Sequence, residues 1–394
     1  MKQDYLKDSM VKKKIVIVGG GAAGVACALS SSSNRNFEIY LLEKTGFLGG
    51  TVTHSLIHTI GGLFDASGEL LNGGLSTDLI KMLMDSNPYA RQRKMGKLWV
   101  LNSDPADFNQ IAISWIKNQK NIKFFSKTQL EKIDAKDGKV TRVVFRPPNN
   151  EAVTVQPEFL VDATGTAEII RELSPNQVIQ GNPLAGFIFR ITGVKKDVIQ
   201  FPKNVAIMRN IRKASADGTL PGACAMTWLD TGTYENEIYL KTNISGSRQD
   251  GDFYTDPELS ESILNFLKPT PGFSRAHVGG LGKIGIREGG RIRGEYSLTY
   301  ADLKEGKSFP DAVCRGNWPI EYWDREKGVI LEYLKHDRSY DIPLRALKVN
   351  GMRNVWAVGK CLSSDPLAQS SARVVGTCWA MGDGLGRVLA NLES

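Results

Sequence analysis

The stretch Lys12 to Ser30, KKKIVIVGGGAAGVACALS, limits what this chain can fold into more than any other. Ile15 to Val18 is a short apolar, β-branched run with lysines on one side and glycines on the other, which predicts the buried first strand of a parallel sheet. A helix rich in alanine follows at once, its small side chains free to lie close on that sheet. Gly19, Gly21 and Gly24 fall on the G-x-G-x-x-G spacing, with Ala22 and Ala23 between them. The first glycine allows a tight turn, the second lets a pyrophosphate approach the backbone, and the third lets helix and strand pack. The helix N-terminus offers amide N–H groups and partial positive charge to an anion. The stretch reads as a pyrophosphate cradle, and these residues leave the nucleotide open.

Phe37 to Leu42, FEIYLL, is a second apolar run ending in Glu43, where a dinucleotide fold places an acid to hold ribose hydroxyls. Nicotinamide and flavin dinucleotides share this opening unit, so the residues beyond Glu43 decide between them. KTGFLGG, Lys44 to Gly50, and TVTHSLIHTIGG through Gly62 form a second glycine-rich segment where a nicotinamide enzyme would continue its β-α alternation. Such a loop suits a large, permanently bound ring system approached by backbone, with Lys44, Gly49, Gly50 and Thr51 as candidate contacts.

Further along, Ser76 to Met84 and Pro105 to Lys117 have helical apolar spacing, the second begun by Ser103 and Asp104 as N-cap candidates. Strand-like runs at Ile122 to Phe125, Lys139 to Phe145 and Ala152 to Gln156, with the turn signals KDGK and PPNN, predict a three-stranded meander. Phe159 to Val161 then runs into Asp162-Ala163-Thr164-Gly165, whose small residues permit close approach; Ala163, Thr164 and Gly165 are expected to form a third wall of a flavin site. From Arg171 to His277 the texture changes to irregular strands and turns with few long helices. Aromatic and basic residues interleave there, among them Phe187, Arg190, Trp228 and Tyr239, any one aromatic being more readily core than site. The last quarter gives a strand at Val355 to Val358, a turn at Gly359 and a long helix from about Arg373. The positive end of that helix, beside Val374 and Val375, suits the N1–C2=O edge of a reduced flavin. The expected fold is α/β: a Rossmann-like FAD-binding domain with a parallel central sheet and β-meander (1–170 and 278–394), plus an inserted mostly-β (α+β) substrate domain (171–277).

The formal net charge of +8 comes from Lys and Arg scattered along the chain, with no basic run or RNA-binding signature, so no nucleic-acid partner is expected. Five widely spaced cysteines without C-x-x-C argue against a disulfide framework, a zinc ribbon or an iron–sulfur cluster, and fit reduced thiols in a cytoplasmic protein. The charged N-terminus does not resemble a leader, and no run is long and apolar enough to span a membrane. No metal is expected: His54 and His58, four apart, lack a third ligand.

On IVIVGGGAAG, EKTGFLGG, LVDATGTAE, GIREGGRIRGEYSLTYADL and NVWAVGKCLS to SSARVVGTCWAMGDGLG, the chain resembles FAD-dependent oxidoreductases of the fumarate reductase-like, two-dinucleotide-motif fold. The resemblance implies noncovalent FAD in most members, with the glycines on its pyrophosphate, the acid on ribose and the last helix at the ring. Two departures stand out. Arg287-Glu288-Gly289-Gly290-Arg291 replaces the family's R-E-S-R-R, and Gly382-Asp383-Gly384 places an acid, expected to be exposed, in the final helix. Gly280, Gly282 and Gly285 repeat the dinucleotide spacing, but their flanks make a poor strand and a poor helix, so the match is read as coincidence.

Flavin chemistry needs a substrate C–H at the ring and often a base. His54 is a candidate base, or a covalent flavin anchor by analogy with succinate-oxidising relatives; His58 is a second candidate, and the plainer alternative for both is a hydrogen-bonded wall residue. Arg287 and Arg373, with Arg291 and Arg293, could fork onto a substrate carboxylate, or pair with Glu288, Asp365 or Asp383. The expected function is an FAD-dependent oxidoreductase that oxidises a small organic substrate, a specialised metabolite being one option, by hydride transfer to flavin N5, with oxygen or an electron carrier as acceptor. The alternatives are an NADPH-fed flavin monooxygenase and a non-catalytic or electron-transfer flavoprotein subunit. Homo-oligomerisation is left open.

Overall fold

The computed structural model describes residues 12–181, 184–200, 202–245, 256–324, 328–335 and 338–392. The first eleven residues, which carry most of the N-terminal charge, lie outside them.

The chain opens with β1 (Lys13–Val18), α1 (Ala22–Ser31) and β2 (Phe37–Glu43), β1 and β2 running parallel. A short helix α2 (Thr51–His54) and β3 (Thr59–Ile60) precede α3 (Leu75–Ser86), β4 (Arg91–Met95), β5 (Leu98–Asn102) and α4 (Pro105–Lys117). Asp104 caps α4 by accepting the Ala106 N–H, as its sequence position predicts. Next come β6 (Ile122–Ser126), β7 (Leu130–Lys136), β8 (Lys139–Phe145), β9 (Val153–Val155) and β10 (Phe159–Asp162).

The meander is real but its membership differs from expectation. Ile122 to Phe125 belongs to β6, which pairs in parallel with β2, and the strand that pairs with β8 is β7, LEKIDAK. Two register shifts in the β7–β8 pairing break the period-2 alternation that would have marked β7 in the sequence.

After α5 (Glu168–Leu173) and β11 (Val178–Ile179) the chain builds a second sheet from β12 (Leu184–Thr192), β13 (Thr227–Thr231), β14 (Glu237–Ser245), β15 (His277–Leu281) and β16 (Gly285–Ile286). Two helices, α6 (Lys203–Ala216) and α7 (Pro257–Leu267), cover one face, a more regular pair than the broken texture of this region suggests. Phe187, Phe189 and Ile191 of β12 with Ile238 and Leu240 of β14 form that buried apolar face, packed with Ile207, Ile211, Ile263 and Leu264. Alternation sends the intervening residues to the opposite face.

The chain returns through β17 (Arg291–Ile292), α8 (Tyr300–Glu305), β18 (Ala312–Gly316), β19 (Ile320–Asp324), β20 (Gly328–Glu332), β21 (Tyr340–Pro343), β22 (Val355–Ala357), α9 (Pro366–Ala372) and α10 (Val375–Asn391). β22 joins the first sheet, whose order is β22-β10-β1-β2-β6, parallel throughout. α10 lies along α1 at backbone contact: a Cβ on Gly382 would stand 2.1 Å from Ala23 O, and one on Gly386 2.6 Å from Cys27 O. Asp383 is therefore carried into this interface rather than exposed. It is 3% exposed, accepts the Ser30 hydroxyl and pairs with Arg387 one turn on. No helix among the described residues is long and apolar enough to cross a membrane.

Candidate active site

The turn after β1 is made of backbone alone. Gly19 has φ +112°, and a Cβ there would sit 2.4 Å from Ala163 O; a Cβ on Gly24 would sit 1.9 Å from Gly19 O. Strand, turn and helix are thus as close as a chain without side chains allows. Gly21 caps α1 without a side-chain partner, and Val25 is the first amide to bond back to it, so the amides of Ala22, Ala23 and Gly24 open the helix. A Cβ on Gly21 would meet nothing nearer than Gly50 Cα at 3.9 Å, which leaves the approach to these amides clear.

The second glycine segment closes on the first. Gly49 N–H donates to Gly20 O at 2.8 Å, and Gly50, at φ +56°, starts α2 at Thr51. Glu43, buried at the end of β2, accepts the Gly20 N–H on Oε2 and the Thr45 N–H on Oε1, each at 2.7 Å. A carboxylate has about four acceptor positions, so these bonds orient it and leave capacity for ribose hydroxyls. Lys44 lies near the surface, 3.6 Å from Glu168. The open helix N-terminus, the room over Gly21 and the oriented acid fit the diphosphate and ribose of a dinucleotide.

Asp162 fixes the third wall. Its Oδ1 accepts the Thr164 N–H and hydroxyl, and its Oδ2 accepts the Ile169 and Ile170 N–H groups, so Ala163, Thr164 and Gly165 are held in one turn. Gly359, at φ +80°, lies against Ala23. Beyond it, α10 starts at Val374 and Val375 without a side-chain cap, and Gly376 N–H donates to Gly61 O at 2.8 Å. Segments more than 300 residues apart therefore meet at one helix N-terminus. Thr377 Oγ1, Gln369 Oε1 and Ser364 Oγ, all on this side, are buried without a hydrogen-bond partner among the described residues.

A cationic group borders this junction. Arg373, immediately before α10, donates from Nη2 to Glu321 O at 3.2 Å, and Lys360 Nζ donates to Ile286 O at 2.9 Å. Arg287 lies with its guanidinium 4.5 Å from the Trp323 ring centroid. Burial, then the neighbouring Arg373 charge, push Arg287 down to about 9, and burial lowers Arg373 and Lys360 as well. Arg287 Nη1 and Arg373 Nε are shut off from solvent with no partner among the described residues. Two of the carboxylates that the sequence offers these arginines are engaged elsewhere: Asp365 caps α9 and Asp383 holds Arg387.

The two histidines diverge. His54 Nε2 lies 3.0 Å from Thr45 Oγ1, which also donates to Glu43, so its ring is on the side of the ribose acid. His58 is fully buried, stacked on Tyr239 at 3.7 Å, with Nε2 3.2 Å from Thr231 O and 3.4 Å from Asp230 Oδ2. Both of those neighbours only accept, which puts the proton of the neutral ring on Nε2 and leaves Nδ1 a bare lone pair. Nδ1 is buried and has no partner among the described residues. Burial, against the pull of Asp230, lowers His58 to about 4, so the ring is neutral near pH 7. Asp230 stays ionised: burial would raise it, but Lys241, His58 and Arg93 hold it well below the usual range. Arg93 bonds it at 2.8 Å.

Asp230, Tyr239, Lys241 and Asn243 carry no sequence signal of a site beyond Tyr239 as one of several interleaved aromatics. Their shared face follows from register: Arg190 opposes Tyr239, Gly186 opposes Asn243, and Asp230 opposes Tyr239 from the other side. Only the alternation in EIYLKTN and TWLDT points to it. This polar face is turned on the β3–β5–β4 sheet and the loop before it, through Lys241 Nζ to Thr59 Oγ1 at 3.1 Å and Asn102 Nδ2 to Gly232 O at 3.0 Å.

The parallel sheet with its glycine turn and terminal acid defines a dinucleotide-binding α/β protein. The sequence model for FAD-dependent oxidoreductases matches residues 14–173 and 185–392, nearly the whole chain, which therefore belongs to that family of FAD-dependent enzymes. No curated protein matches the sequence. Among solved structures, the chain is similar to a geranylgeranyl bacteriochlorophyll reductase-like protein from Thermoplasma acidophilum (14% identity, 96% of this chain and 77% of that one, TM-score 0.47). It is similar to a flavin-dependent brominase (13% identity, 96% and 80%, TM-score 0.49). It is also similar to p-nitrophenol 4-monooxygenase from Pseudomonas putida (10% identity, 72% and 70%, TM-score 0.42).

Proposed function

We propose that this FAD-dependent enzyme oxidises a small organic substrate held between the flavin and the polar face of the second sheet. The observation that carries this is His58 beside Asp230: a neutral imidazole whose Nε2 proton lies between Thr231 O and an ionised carboxylate, with a bare Nδ1, three residues before the Gly61 turn at the N-terminus of α10. The division of labour follows the two cores, the first sheet and returning segments for the cofactor, the inserted region for substrate.

Bound FAD supplies a two-electron acceptor for a hydrogen on a substrate carbon. The amides of Ala22, Ala23 and Gly24 would hold its diphosphate and Glu43 its ribose, with Gly49, Gly50, Thr51, Ala163, Thr164 and Gly165 offering backbone to it. The N-terminus of α10, at Val374 and Val375, would favour negative charge gained by the ring. His58 takes the substrate proton at Nδ1, and Asp230 positions the ring and stabilises it once charged. Arg287 and Arg373 attract an anionic part of the substrate; their burial excludes water and strengthens that attraction. The contact of His54 with Thr45, beside Glu43, supports a role at the ribose end.

The test is anaerobic mixing of the purified yellow protein with a panel of small alcohols, amines and acids while the flavin absorbance is followed. Bleaching by an organic compound alone supports the oxidation. Bleaching by NADPH only would replace this reading with the monooxygenase.

A further inference from the structure

Buried polar atoms almost always find partners, so a group of them without one marks where something else supplies it. Four residues on or against the polar face of the second sheet share this condition: Ser55 Oγ, His58 Nδ1, Asn243 Nδ2 and Arg287 Nη1 are buried without a hydrogen-bond partner among the described residues, while Arg190 and Tyr239 interact with each other across the strands. Their arrangement is not random. A Cβ added to Gly186 of β12 would stand 2.9 Å from Arg287 Nη2, and one added to Gly285, which pairs with Gly186, would stand 2.9 Å from Ser55 Oγ. Asn243 opposes the same Gly186 from β14, so its side chain leaves the sheet on that side. Three donors, one of them cationic, thus converge where Gly186 leaves the strand without a side chain. Four residues along β12, Arg190 opposes Tyr239, whose ring carries His58. At about 3.3 Å per residue the two groups are about 13 Å apart.

We infer that this face binds an extended hydroxy acid rich in oxygen: its carboxylate at the Gly186 corner among Arg287, Ser55 and Asn243, and a hydroxyl at the far end, donating to His58 Nδ1 and accepting from Tyr239. The donors and acceptors left open dictate this chemistry. Three of the four unpartnered atoms donate, so the missing partner is rich in acceptors; the fourth, His58 Nδ1, only accepts, so that partner carries at least one O–H. A guanidinium stacked on Trp323 with no carboxylate in ion-pair contact among the described residues selects an anion over a neutral oxygen. The inference rests on the proposed function in taking this face as the substrate wall.

Binding is measured calorimetrically on the FAD-loaded protein, with a perturbation of the flavin spectrum as the second readout. The probes are gluconate, glucuronate and quinate, with sorbitol as the neutral polyol and hexanoate as the acid without hydroxyls. At least one hydroxy acid is expected to bind saturably, and sorbitol and hexanoate each at least about tenfold more weakly. Arg287→Gln and Asn243→Leu should each weaken that acid about tenfold or more while flavin content is unchanged. The inference is overturned if none of the three acids binds, if hexanoate binds as tightly as they do, or if Asn243→Leu binds unchanged. Loss of FAD in Arg287→Gln would assign that guanidinium to the cofactor and overturn the carboxylate corner. Binding does not require turnover: acids that bind but never bleach the flavin would sink the proposed oxidation and support this inference.

Discussion

The glycine turn at the end of the first sheet and the polar face of the second sheet, proposed above to hold cofactor and substrate, are made by opposite means. The turn is backbone: Gly19, Gly21 and Gly24 keep side chains out and leave the helix amides open to an anion. The polar face is side chain: charged and hydroxylic groups from β12, β13, β14 and the 54–58 loop lie along it, some of them around a glycine gap. A diphosphate is the same in every FAD, so a fixed array of N–H groups suffices. A particular substrate must be told from others, which needs groups that penalise the wrong partner by being left unpaired. The comparison therefore predicts that damage to the cradle removes the cofactor, whereas damage to the face leaves the protein yellow and idle.

The largest effect tests the first half. Gly24→Val forces side-chain atoms into a space where even a Cβ lies 1.9 Å from Gly19 O. A loss of about 3 kcal/mol or more and colourless purified protein are expected, read by thermal denaturation and flavin absorbance. A yellow, stable variant would break the contrast. On the other surface, Asp230→Asn keeps both hydrogen-bond distance and shape but not the charge behind His58. FAD content should stay normal while kcat falls about 10²-fold, checked by steady-state kinetics at matched flavin loading. Equal loss of flavin and activity would mean that the two surfaces are not separable.

A smaller effect sharpens the account of His58. Its folded pKa, about 4, lies below the ordinary 6.5, so the unfolded chain binds the extra proton first as pH falls. The stabilisation is complete above 6.5 and is lost on acidification towards 4, by up to about 3 kcal/mol. Denaturation followed between those pH values should show this slope, and His58→Gln should flatten it. The smallest effect belongs to Lys44: its side chain is 37% exposed and its partner Glu168 52%, so Lys44→Ala should change stability by less than about 1 kcal/mol and leave flavin affinity almost unchanged.

The same contrast explains which elements are legible in the sequence. Lys139 to Phe145 and Pro105 to Lys117 form the strand and helix their local patterns predict, because alternation and an N-cap Asp act within a few residues. β7 escapes because its register shifts hide its alternation, and β6 reads as part of the meander because a short apolar run does not state which neighbour it pairs with. Asp383 looks exposed in the sequence because its burial is set by α1, some 350 residues earlier in the chain.

By itself the sequence determined the glycine turn between β1 and α1 and the acid that ends β2, since the spacing of three glycines and one acid is a local property that any fold obeying it must honour. Tertiary structure alone decided that His58 meets Asp230 and that Arg287, Ser55 and Asn243 gather at Gly186. Those meetings depend on strand register and on which face of a sheet turns inward, and a shift of one residue in pairing would have sent Asp230 and Asn243 to the opposite side.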